Sequence, residues 1–95
     1  MVTTEESGRR LSAEIGARVR EFRVNAGLSG VKLAEAAGVS QPFLSQLESG
    51  QSSVAIATLY RIAKALGVQP SDLLPEAEPA DIVGARSIEA QRLPL

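Results

Sequence analysis

The sequence predicts an all-α fold: a compact five-helix domain followed by a flexible C-terminal tail. Three observations carry this. Apolar residues recur at helical spacing in successive short stretches. Each stretch is bounded by the serines, prolines and glycines that suit helix ends. The hydrophobic residues, 44% of the chain, are nearly all Leu, Ile, Val and Ala, with Phe22, Phe43 and Tyr60 the only aromatics, so the core is aliphatic. A length of 95 residues suffices for one small domain and not for two.

Residues 1–10 read as a flexible polar segment. Thr3 and Glu6 fit a capping box there, but Gly8 weakens any helix. The first helix is expected from Leu11 or Ser12 to Ala26, on the spacing of Leu11, Ile15, Val19, Phe22 and Ala26, with Gly27 stopping it. Ser29 is the expected N-cap of a second helix over Gly30 to Ala37. The third helix runs from Gln41 to Glu48 and ends at Gly50, before the polar loop SGQSS. Ile56, Leu59, Ile62, Ala63 and Leu66 mark a fourth helix that stops at Gly67. Capping of that helix must come from Ser52 or Ser53, or be imperfect. A short fifth helix begins near Pro70, with Leu73 and Leu74 as an apolar plug. The domain is therefore placed at residues 11–75. PEAEPADIVGAR then reads as linker. The last residues suit a short strand, a swapped arm or a disordered tail. Residues 76–95 are thus a linker and tail, or the start of a further domain.

The stretch GVKLAEAAGVSQPFLSQL, Gly30 to Leu47, is the most specific motif. Ala34 is small, so two helices can cross closely at that point. Gly38 stands where a left-handed residue must end the second helix. Val39 fills the turn, Ser40 caps the third helix, and Pro42 falls in its first turn, where a missing N–H costs little. Leu44 and Leu47 face the core. The result is a helix-turn-helix over residues 30–49, a unit that presents one helix face to a DNA major groove.

Composition narrows the chemistry. With neither cysteine nor histidine, the chain has no disulfide framework, no thiolate metal site and no imidazole base. It has no Gly-rich phosphate loop, and an enzyme, a metal or a cofactor is not expected. No apolar run reaches the roughly 20 residues of a membrane span, and the N-terminus has no apolar signal core, so a cytoplasmic location is expected. The net charge of −1 hides an uneven distribution. Residues 9–74 hold eight basic side chains against five acidic ones, a balance of +3, while both ends are acidic. Such mild basicity suits DNA binding through geometry and backbone donors rather than a dense lysine patch.

The candidate DNA-binding residues lie on the outer face of the third helix: Ser40, Gln41, Pro42, Phe43, Ser45 and Gln46. Gln41 sits at the end that reaches base edges, and a glutamine can bond adenine N6 and N7 together. Phe43 either presses on a thymine methyl group or packs into the core or a dimer contact. Ser49, Gln51, Ser52 and Ser53 form a loop suited to phosphate, with Lys32 and Arg18 as further anchors.

These segments, with IGARVREFRVNAGLS before them and TLYRIAKALGV and SDLL after, resemble the lambda-repressor-like, or Xre-type, helix-turn-helix family of bacterial and phage regulators. The resemblance runs from about Ile15 to Leu74. It implies a sequence-specific, DNA-binding transcriptional regulator, more often a repressor, that binds double-stranded DNA as a homodimer on roughly palindromic sites. Other functions within reach are an antitoxin with a toxin partner, or a protein-interaction module on the same fold that has lost DNA binding. The resemblance also implies a structural ion pair between Arg23 and Glu48. Gly30 departs from the family pattern, which commonly has a glutamine that bonds phosphate and braces the first residue of the recognition helix. Val54 and Ala55 likewise replace a usual proline and serine.

Overall fold

The structure, a computed structural model, describes residues 3–75. It is all-helical: α1 (Thr4–Asn25), α2 (Gly30–Ala37), α3 (Gln41–Glu48) and α4 (Ile56–Leu66), closed by a 3-10 turn over Pro70–Leu73. The expected fifth helix is thus a single tight turn. Pro70 opens it and the Gln69 N–H donates to Asp72 Oδ2 at 2.9 Å, as at a helix start, but Leu74, directly before Pro75, is extended (φ −97°, ψ 145°), so no further turn follows. Leu73 alone is the plug, fully buried, while Leu74 is 40% exposed. The tail, residues 76–95, lies outside the described residues.

The largest correction concerns the N-terminus. Helix α1 starts at Thr4, not near Leu11, and takes in most of the segment read as flexible. Gly8 costs about 1 kcal/mol in helix propensity. That cost is met by the Thr3 cap, whose Oγ1 accepts the Glu6 N–H at 3.1 Å, and by Glu5 and Glu6 beside the helix dipole. The remaining turns are templated by the anchored half of the helix, so no new nucleation is needed. Within α1, Ile15 and Val19 are buried and Phe22 is half-buried, whereas Leu11 and Ala26 are exposed and contribute no core.

The core gathers Ile15 and Val19 of α1, Leu33, Ala34 and Ala37 of α2, Leu44 and Leu47 of α3, Leu59, Ile62 and Ala63 of α4, and Leu73. Helices α2 and α3 meet through the expected turn. Gly38 adopts φ 70°, and the Val39 and Gly38 N–H groups donate to Ala34 and Glu35 carbonyls at 3.0 and 3.2 Å. These two hydrogen bonds satisfy carbonyls that the helix end would leave orphaned. Ser29 and Ser40 cap α2 and α3 as expected, accepting from the Lys32 and Phe43 N–H groups. The start of α4 is the imperfect case: Ala55 is its N-cap and no side chain caps it.

Candidate nucleic-acid interface

Helix α3 is held from three sides, which is what turns its outer face into a fixed surface. Leu44 and Leu47 anchor it to the core. Its C-terminal end lies against α1 at Gly16, where an added Cβ would collide with the Leu47 carbonyl. Gly16 is buried and was not singled out from the sequence; a glycine inside a helical pattern was the available signal. One turn earlier on α1, Ala13 supports Gly50, whose φ is 80°. A third contact is the Arg23–Glu48 pair. Arg23 Nε donates to Glu48 Oε2 at 2.7 Å and Nη2 to Oε1 at 3.0 Å, while Nη1 donates to the Leu28 carbonyl at 2.9 Å. The side chains are 16% and 11% exposed. The hydrogen bond to Glu48 raises the Arg23 pKa above the ordinary arginine value, and the carboxylate charge adds to this against the opposing effect of burial. Glu48 is therefore committed to structure and not presented to a phosphate.

The outer face then reads residue by residue. Ser40, Gln41, Pro42, Ser45 and Gln46 are exposed, and Ser40 accepts the cap bond from the Phe43 N–H while keeping its O–H as a donor. Phe43 is half-buried and packs against the core, so the ring is not free on the outer face. Gln46 is held at its oxygen: the Ser52 hydroxyl donates to its Oε1 at 3.2 Å, which leaves the exposed amide N–H₂ group as a donor. Gln41 has no such partner among the described residues, and both ends of its amide stay available for a bidentate contact. Gly30, Gln41, Ser45 and the Arg23–Glu48 pair line one cleft of about 190 Å³. The position opposite Gln41 therefore has room for a side chain that glycine does not supply.

The loop after α3 is partly used up by the fold. Gly50 and Gln51 N–H groups donate to the Leu47 and Gln46 carbonyls, and Ser49 Oγ donates to the Gln46 carbonyl at 3.0 Å. The Ser52 hydroxyl, one of the two candidate α4 caps, is turned toward Gln46 instead. Among the described residues, the backbone N–H groups of Ser52 and Ser53 carry no intramolecular hydrogen bond. Lys32 is exposed on α2. Arg18 is not brought to this surface by its register: it lies about 200° around α1 from Gly16, the residue that meets α3.

Residues 19–73, more than half of the chain, match the helix-turn-helix family. The chain belongs to that family. Among curated relatives, the control protein C.BamHI of Bacillus amyloliquefaciens is 38% identical over 60 residues, 62% of this chain and 74% of the relative. The immunity repressor protein of Bacillus phage phi105 is 34% identical over 62 residues, 65% of this chain but 43% of the repressor. The chain thus spans less than half the length of some helix-turn-helix relatives. Among solved structures, the restriction-modification controller protein C.AhdI from Aeromonas hydrophila superimposes with a TM-score of 0.65 at 32% identity, over 66% of this chain and 96% of that one. Among the described residues, no helix is long and apolar enough to cross a membrane.

Proposed function

We propose that this helix-turn-helix protein is a sequence-specific DNA-binding transcriptional regulator, acting as a repressor by occupying an operator. The carrying observation is the exposed polar face of α3, Gln41, Ser45 and Gln46, on a helix fixed by core leucines, the Gly16 crossing and the Arg23–Glu48 pair. In this reading α3 lies in the major groove and Gln41 reads a base edge. Gln46 donates to a base or phosphate oxygen. The Ser52 and Ser53 N–H groups and Lys32 hold the backbone. The domain expected at residues 11–75, extended to Thr4 by α1, is the DNA-binding unit, and its site of action is the cytoplasm. Similarity to proteins named as control proteins and as an immunity repressor supports regulation over other uses of the fold.

One such domain makes few contacts, so the protein binds as a homodimer to half-sites about one helical turn apart. Exposed apolar side chains on α4 and after the 3-10 turn, Ile56 (69% exposed), Tyr60 (59%) and Leu74, support self-association. Selection of bound duplexes from a random pool tests the reading, with Gln41→Ala as the control. A palindromic motif that loses preference at defined bases in the variant is the expected result. Absence of enrichment at low salt refutes DNA binding by this chain.

A further inference from the structure

The first turns of α1 precede the part of the chain that matches the family, residues 19–73, and they are not idle surface. Arg9 is seven residues before Gly16, and seven residues on a helix return to within about 20° of the same direction. Arg9 therefore shares the α1 face that meets α3. It lines a shallow, open cleft of about 490 Å³ with Glu5, Gly8 and Ser12 of α1 on one side and residues 50–53 on the other. Gly50 seated over Ala13 fixes the second wall against the first. The Cβ direction of Gly8 faces open space, with nothing within 4 Å. The free Ser52 and Ser53 N–H groups belong to the same wall, and Ser52 also holds Gln46 at the C-terminal half of α3. Among the described residues, Arg9 has no ion-pair partner.

We infer that this cleft makes Arg9 a further backbone contact, in which its guanidinium joins the Ser52–Ser53 loop in holding a DNA phosphate beyond the bases read by α3. The inference rests on the DNA-binding reading above and extends it to a part of the chain outside the family match. A guanidinium beside two unpaired backbone donors is a fitting receptor for a phosphate diester. Glu5, on the same wall, opposes it by charge and tunes the site down.

The test is the salt dependence of binding of the full chain to its selected duplex, for the parent and for Arg9→Gln, Arg10→Gln and Glu5→Gln. Each variant removes one charge from the exposed first turns of α1, and circular dichroism confirms that helix content is kept. Arg9→Gln is expected to make the log–log salt slope shallower by about 0.9, with base preference unchanged. Its deficit against the parent then grows about eightfold for each tenfold lowering of salt. Arg10→Gln, one residue along and outside the cleft, is expected to stay close to the parent, and Glu5→Gln to bind more tightly. Equal losses for the two arginine variants would overturn the site in favour of diffuse charge, as would an Arg9→Gln slope equal to the parent's. A parent that shows no salt-dependent binding would refute the DNA-binding reading itself, and this site with it.

Discussion

Arg23 and Glu48 join in two parallel hydrogen bonds, 2.7 and 3.0 Å long, that tie α1 to the last residue of α3. A third bond from Arg23 to the Leu28 carbonyl extends the tie to the loop before α2. The planar guanidinium serves all three directions at once, which a lysine could not do. Glu48→Gln is expected to cost up to about 3 kcal/mol, the low end for breaking a buried pair because these side chains keep some exposure. Denaturant unfolding measures it as a lower midpoint. The pKa of Arg23 is raised, so its stabilisation is fully present at neutral pH and is lost only as pH rises through that elevated value.

Two glycines of α1 should respond oppositely to alanine. Gly16→Ala drives a methyl group into the Leu47 backbone, and is expected to lose about 1–3 kcal/mol despite better helix propensity. Gly8→Ala meets nothing within 4 Å and is expected to gain up to about 1 kcal/mol. Thermal melting reads both, since 1 kcal/mol moves the midpoint of such a domain by about 4–8 °C.

Gln41 is fully on the surface, so Gln41→Ala should leave the melting temperature unchanged. It should lower discrimination at one base pair of each half-site by about 1–3 kcal/mol. Competition binding with single-base variants of the selected site measures this. A uniform loss across all variants would instead mark Gln41 as a phosphate contact.

Gly30 begins α2 with open space at its Cβ position and faces Gln41 across the small cleft. Gly30→Ala should stabilise the fold by about 0.5–1 kcal/mol through helix propensity. Gly30→Gln adds an amide within reach of Gln41 and is expected to tighten DNA binding. Fluorescence anisotropy of labelled duplex compares the two: an equal change for both would mean that propensity, not contact with Gln41 or phosphate, is responsible.

Much of this architecture is legible before folding is considered. Ser29, Ser40, Gly38 and Gly67 set helix ends by local rules, because a cap or a left-handed residue acts within one turn of chain. The apolar spacing of α3 and α4 placed Leu44, Leu47, Leu59 and Ile62 inside, whereas Ile56, on the same α4 stripe, is exposed at the helix start. The start of α1 is not legible from Gly8 taken alone. Helix continuation is cooperative, and the turns from Ser12 onward are held by packing. Phe43 could not be settled from spacing, since a residue at the margin of an apolar stripe is buried or exposed according to how far its neighbours tilt.

The sequence by itself determined α2, α3 and α4, their order and the turn that makes a helix-turn-helix, because these follow from propensity, caps and periodicity within a few residues. Only the tertiary structure decided what the outer face of α3 offers. The Ser52 hydroxyl holds Gln46 instead of capping α4, and Gly16 sets how closely α1 crosses Leu47. Arg9 shares a cleft with the loop after α3. Each of these depends on where two distant segments come to rest, and that position is fixed by burial of the common core rather than by any local signal.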